Sequence, residues 1–300
     1  MSNGVCYNNF VMKIKSDNNN LIITELTDFD IVQIFECGQC FRWDRLSDGS
    51  FIGVAYNKAL KIFQNSPDTV TLFDTSIEDF ENIWYNYFDF GTSYSDIKTS
   101  LSSDKILKHA IAYGEGIRIL NQDLWECVVS FIISQSNNIP RIKKIISTLC
   151  TLYGEKINYL GDVYYSFPSP EKILSRGPEG LLAIRAGFRD KYILAAADAF
   201  VNSISFDTLS ELSYDEAKKE LMKIKGIGNK VADCILLFSL AKRSSFPVDV
   251  WIKRIMEYCY FDNEQPINII REFADEKFGQ YSGYAQQYLF YYARENKIGI

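Results

Sequence analysis

Short β-branched and aromatic runs follow one another from about Leu21 to Phe73. "NLIITEL", "CFRW", "FIGVAYN", "KALKIFQ" and "TVTLFD" are parted by turn signals such as "SDGS", and each predicts a strand. The pattern changes over "DTSIEDFENIWYNYF". There Ile77, Phe80, Ile83, Trp84 and Tyr87 recur at helical spacing behind a helix start at Ser76 with Asp79. From that point the chain is mainly helical, in segments punctuated by Gly and Pro, among them "LWECVVSFIIS", "IPRIKKIISTLCTLYG", "SPEKILS", "GPEGLLAI", "GNKVADCILLFSL" and "YAQQYLFYYAREN". Pro140 suits an opening helical turn, where a missing N–H costs nothing. The expected fold is α+β: a small antiparallel-sheet domain over residues 1–114, then a larger all-α domain over residues 115–300. The division falls in "AYGEG", near Tyr113–Gly116. No internal repeat stands out, and "SDNNN" is expected to be a mobile start.

Three hundred residues suffice to bury such cores, and 47% hydrophobic content is that of a soluble globular protein. No run reaches the roughly 18 apolar residues of a membrane span. "MSNGVCYNNF" has neither a basic n-region nor an apolar h-region, so no secretory signal is expected. Seven scattered cysteines fit a reducing cytoplasm better than a disulfide framework. Cys37 and Cys40 in "ECGQC" are half a zinc knuckle, but no second CxxC completes it and the single histidine is His109. Both cysteines read as packing residues. The net charge of −6 argues against a nucleic-acid partner at first sight. Its distribution argues otherwise: Arg141 to Met256 holds 18 Lys and Arg against 13 Asp and Glu, a net of +5, leaving −11 elsewhere. That is compatible with one polyanion-facing surface, and equally with ordinary variation among solvated helix faces.

"MKIKGIGNKVADCILLF" (Met222–Phe238) interrupts an apolar helical pattern with Gly226 and Gly228. Two such glycines let the backbone take positive φ and approach a partner closely. The N–H groups opening the next helix, with its dipole, favour a phosphate, and such a hairpin grips a sugar–phosphate backbone without reading sequence. Taken alone, the same pattern is equally a plain αα-corner. Lys230 stands in the first turn of that next helix, against the positive end of the dipole. Either it reaches out to solvent or a phosphate, or dipole and partial burial hold part of it as the neutral amine, the form in which lysine acts as a Schiff-base nucleophile. Asp249, behind Pro247 in "FPVDVW", could bind the ammonium, accept its proton or stabilise positive charge on a sugar ring.

"GIGNKVADC" followed by "PVDVW" resembles the HhH-GPD superfamily of base-excision DNA glycosylases, most of all its 8-oxoguanine DNA glycosylase branch. "GQCFRW" (Gly38–Trp43), "SFIISQSNNIPRI" (Ser130–Ile142), "AGFRDKYI" (Ala186–Ile193) and "YAQQYLFYYA" (Tyr284–Ala293) resemble that branch's other segments in the same order, over nearly the whole chain. The resemblance implies a TATA-binding-protein-like N-terminal sheet, a helical glycosylase core, and a bifunctional glycosylase and AP lyase acting on double-stranded DNA that contains 8-oxoguanine. Lys230 would attack the anomeric carbon and form a Schiff base, Asp249 would assist departure of the base, and β-elimination would nick the strand.

The resemblance also assigns roles around that pair. The lesion pocket would comprise the Gly38 carbonyl, Cys234, Gln286 and Phe290. The last two are four residues apart and so share a helix face, although without the resemblance Phe290 reads as one more core aromatic. Asn137, Arg141, Phe188 and Arg189 would fill the gap and read the opposite base. Gly226, Gly228 and Trp251 would meet the DNA backbone. No cofactor is required; a monovalent or calcium ion is expected on the carbonyls of Met222, Ile224 and Ile227. The sequence departs from the branch at Ser136, where many relatives have asparagine, at Phe188 (tyrosine), at Trp251 (histidine) and at Lys225 (proline). The first two bear on the choice of cytosine opposite the lesion. A four-cysteine iron–sulfur loop is absent, only Cys259 following Asp249. A monomer is expected, cytoplasmic and nucleoid-associated if the source is prokaryotic. Two alternatives stay open: a glycosylase for other oxidised or alkylated purines, and a non-catalytic DNA-binding module.

Overall fold

Two-residue turns set the register of the N-terminal sheet in the computed structural model, which describes residues 12–261 and 263–298. Asn18 and Asn19 (φ 47° and 66°) join β1 (Lys13–Asp17) to β2 (Asn20–Thr24), with Asp17 opposite Asn20. Tyr56 and Asn57 (φ 48° and 60°) join β4 (Phe51–Ala55) to β5 (Lys58–Ser66), with Ala55 opposite Lys58. Positive φ at both central residues is what a strand-matched hairpin turn needs, and asparagine tolerates it. "SDNNN" is therefore no mobile start; it ends one strand and opens the next. β1 went unforeseen because only Ile14 of its five residues is buried, so this edge strand carries no apolar alternation.

β3 (Trp43–Arg45) and β6 (Thr69–Phe73) complete a fully antiparallel sheet of order β1-β2-β6-β5-β4-β3. A six-residue helix, Ile31–Glu36, is inserted between β2 and β3. Asp30 caps it through the Gln33 N–H at 2.9 Å, and its buried face lays Phe35 on Trp43 with ring centroids 4.1 Å apart. Ser76 starts the next helical stretch as expected, accepting from the Asp79 N–H at 3.0 Å, though a π-helical turn over Phe80–Trp84 follows.

The helical part is built around Leu124–Ser134, a helix apolar on nearly every side and buried accordingly. Ile139–Tyr153, Asp190–Asn202 and Asn229–Ser239 pack against it. Tyr94, Ile97, Leu101, Leu107 and Ala110, from the two helices before residue 114, join this core and not the sheet's. A separate hairpin, β7 (Lys156–Tyr159) and β8 (Asp162–Tyr165), interrupts the helical region and lays Tyr159 against Ile52, Val54 and Ala59 on the sheet's other face. The Arg42–Glu126 ion pair, 2.8 Å and nearly buried, ties the sheet side to the central helix. Cys37 and Cys40 are buried free thiols, packing residues as read from the sequence. Among the described residues no three or more His, Cys, Asp or Glu side chains are placed to hold a metal, and no helix is long and apolar enough to cross a membrane.

Candidate active site

The Gly226–Gly228 turn follows the Tyr214–Met222 helix and leads into Asn229–Ser239. The two glycines serve different needs. Gly226 has φ +98°, and a Cβ there would collide with the ring of Tyr192. Gly228 has φ −97° and open space before it, and is the helix's N-cap without any side-chain cap. Only the first needs left-handed backbone; the second leaves the helix's opening N–H groups uncovered, the condition for anion binding. Gln135 braces the turn by donating from Nε2 to the Gly226 carbonyl at 3.1 Å.

Lys230 is half-buried in the first turn of this helix, its Nζ 5.0 Å from the centre of the Phe131 ring. Asp249 caps the helix Val250–Tyr260, accepting from the Ile252 N–H at 2.8 Å. Burial pushes the Asp249 carboxyl above the ordinary carboxylate value, while the Ile252 N–H and the positive charge of Lys230 pull it down. The charge of Lys230 is thus felt at Asp249, with no direct ion pair between them among the described residues. Burial pushes the Cys234 thiol, one turn along from Lys230, up to about 11, against the downward pull of the Lys230 charge. It stays protonated at neutral pH and does not compete as a nucleophile.

The other candidate residues converge from the C-terminal helix Ser282–Asn296 and the turn after Ile31–Glu36. Gly38 has φ +83°, and a Cβ there would stand 3.0 Å from Phe290 Cε1. Gln286 is buried with Oε1 lacking a hydrogen-bond partner among the described residues, a costly state unless a ligand supplies the donor. Gly283 packs on Leu237, which lays the C-terminal helix directly on the helix of Lys230.

Of the residues expected to fill the gap, Asn137 is held locally, donating to the Ile133 carbonyl at 3.0 Å. Arg141 is exposed at the start of Ile139–Tyr153, and Phe188 is 52% exposed, an unusual place for a bare aromatic ring. Arg189 is buried, donating to the carbonyls of Gln135, Ala186 (3.0 Å) and Ser136 (3.0 Å) and lying 4.4 Å from the Phe188 ring centre. Four of its five N–H groups are engaged, so here it anchors the 135–136 backbone. Trp251 is half-buried under the guanidinium of Arg254. Phe131, Gln135 and Tyr192 were not foreseen as site residues. Phe131 and Tyr192 carry an ordinary core signal in sequence and Gln135 a plain polar one, and each comes to Lys230 or the glycine turn only in the folded arrangement.

A family model described as the N-terminal domain of 8-oxoguanine DNA glycosylase matches residues 10–128. A second, described as HhH-GPD superfamily base excision DNA repair protein, matches residues 129–278. The N-glycosylase/DNA lyase of Saccharomyces cerevisiae is 30% identical over 318 residues, covering 87% of this chain and 82% of that protein. The structure of MBOgg1 in complex with a low affinity DNA ligand is similar at 46% identity and a TM-score of 0.93, covering 95% of this chain and 99% of that one. The Clostridium acetobutylicum 8-oxoguanine glycosylase/lyase, solved with double-stranded DNA containing cytosine opposite 8-oxoG, is similar at 42% identity and a TM-score of 0.92, covering 95% and 98%.

Proposed function

The chain belongs to the HhH-GPD superfamily of base excision DNA repair proteins, and from that membership we propose that it is a bifunctional DNA glycosylase and AP lyase excising 8-oxoguanine from duplex DNA. The observation that carries the reading is Lys230 in the first turn of an uncapped helix N-terminus, with the carboxyl of Asp249, which caps the helix Val250–Tyr260, near enough to feel its charge. Extruding the damaged nucleotide costs a few kcal/mol and brings its C1′ within reach. The Lys230 amine bonds to C1′ as the C1′–N9 bond breaks, and the base leaves with that electron pair and takes up a proton. Asp249 stabilises the positive charge that develops on the sugar and relays the proton that Nζ gives up to the departing base. Opening of the ring yields a Schiff base. Loss of a C2′ proton then breaks the C3′–O bond, nicking the strand. Each step is easier than one direct displacement.

Phe290 and Cys234 would hold the faces of the everted base, and Gln286 Oε1 would accept from its Watson–Crick edge. The Gly38 carbonyl would accept the N–H that 8-oxoguanine carries on its five-membered ring and meet a lone pair in guanine, a difference of roughly 1–3 kcal/mol. Phe188 and Asn137 would fill the gap, with the exposed Arg141 facing the opposite base and Arg189 able to add only the one N–H that its backbone bonds leave over. The hairpin turn and Trp251 would track the phosphates. The carbonyls of Met222, Ile224 and Ile227 would suit a monovalent or calcium ion, since carbonyl oxygens are hard ligands. Ile224, which accepts from the Ile227 N–H at 3.0 Å, keeps a second lone pair. The proposed acting unit is a monomer. Excision assays on duplexes containing 8-oxoguanine or 3-methyladenine, opposite each of the four bases, test the reading. Release of 3-methyladenine in preference to 8-oxoguanine would refute it.

A further inference from the structure

The turn carrying Gly38 is fastened on both sides of that residue. The Cys37 carbonyl accepts from Gln287 Nε2 at 2.9 Å, the Gln39 carbonyl from Gln122 Nε2 at 2.7 Å, and the Glu36 carbonyl from Arg294 Nη2. The Gln39 side chain is fully buried, donating to the Ile34 and Arg118 carbonyls and accepting from the Leu120 N–H at 2.9 Å. Among the described residues no donor reaches the Gly38 carbonyl, which is left free in a run of four whose other three are taken. Arg294 does more than hold Glu36. Its guanidinium lies over the Phe290 ring at 5.4 Å, and its Nη1 is buried without a partner among the described residues, 3.1 Å from where a Gly38 Cβ would stand.

Building on the proposed function, we propose that Arg294 and Gln287 are positioning residues for base discrimination. From the C-terminal helix they clamp the Glu36–Gly38 turn so that the Gly38 carbonyl stays fixed toward the base. A carbonyl tells an N–H from a lone pair only if it cannot turn away from the lone pair. A peptide plane free to rotate would relax and forfeit the difference, whereas a fixed dipole keeps it. Arg294 touches the turn and the ring meant to stack on the base together, so one side chain sets two walls of the pocket. Sequence gives no hint of this, since the partners lie some 250 residues apart.

Arg294→Leu, Arg294→Lys and Gln287→Leu in the full chain test the clamp by three readouts. Hydrogen exchange over residues 36–40 without DNA reads the turn itself. Relative affinity for 8-oxoguanine and guanine duplexes reads discrimination. Borohydride trapping on an abasic-site duplex, which asks nothing of the base pocket, reads fold and lysine chemistry. In the two leucine variants exchange should speed up about tenfold, as local opening becomes easier. The preference for 8-oxoguanine should fall about five- to tenfold, the size of one weakened hydrogen bond. Abasic trapping should stay within about twofold of wild type, and Arg294→Lys, which keeps a donor but not the planar stack, should lie between. Unchanged exchange, or an unchanged preference while excision and abasic trapping fall together, overturns the clamp. Wild-type protein that removes no 8-oxoguanine overturns the proposed function instead, and the exchange readout still decides the clamp.

Discussion

The Lys230 ammonium nitrogen lies 5.0 Å from the centre of the Phe131 ring, on an aromatic shelf that Phe238 extends by stacking at 5.5 Å. Two effects oppose each other there. The helix N-terminus disfavours a cation by about 0.3–1 kcal/mol, and the ring face favours it by about 0.5–1 kcal/mol. Lys230→Gln should therefore leave unfolding stability within about 1 kcal/mol of wild type, measured by urea denaturation, while all covalent trapping on DNA disappears.

Asp249 makes the converse prediction. Burial raises its folded pKa above the ordinary value of 3.8. Below pH 3.8 both states hold the proton and the group contributes nothing. As pH rises through that range the unfolded chain ionises first, so the carboxyl costs stability at neutral pH. Asp249→Asn keeps a cap for Ile252, and should melt higher than wild type at pH 7, with the gain fading as pH falls toward 3.8. Excision should drop about 10²- to 10⁴-fold, and the acid limb of the wild-type rate profile, lying above pH 3.8, should vanish in the variant.

The glycines of the hairpin should separate fold from contact. Gly226→Ala meets both a φ of +98° and the Tyr192 ring, and should destabilise by about 2–4 kcal/mol in thermal unfolding. Gly228→Ala meets open space at φ −97°, and should leave stability within about 0.5 kcal/mol. It should nevertheless weaken DNA binding, because the added methyl stands before the N–H groups proposed to meet a phosphate.

Asp233 is fully buried in the helix of Lys230, and its carboxylate is taken up by partners from neighbouring helices. It accepts from Tyr214 at 2.7 Å and pairs with Lys218 at 2.7 Å and Arg271 at 2.6 Å, tying three helices together. Asp233→Ala should cost about 3–5 kcal/mol, because two cations are left without their buried counter-charge. Calorimetry or denaturant unfolding reads this directly.

The sequence disclosed what local chemistry encodes. Periodicity placed the Leu124–Ser134 helix residue for residue, and the Gly226–Gly228–Lys230 spacing marked the hairpin. Elements with weak local signals went unseen: β1 is a polar edge, Ile31–Glu36 has only six residues, and the β7–β8 hairpin sits amid helices. The same divide runs through the site. Lys230 and Asp249 announce themselves by odd placement. Arg294, Gln287, Phe131 and Gln135 are ordinary residues whose partners lie far along the chain. Ser136 falls between: its φ of +48° suits asparagine better than serine, a strain no sequence pattern reveals.

Borohydride reduction of wild-type protein mixed with an 8-oxoguanine:cytosine duplex, followed by denaturing electrophoresis and peptide mapping, probes the Lys230 chemistry most directly. The account predicts one covalent protein–DNA species attached through Lys230. Tight binding of the same duplex with no trapped species, or an adduct mapped to another residue, would contradict it.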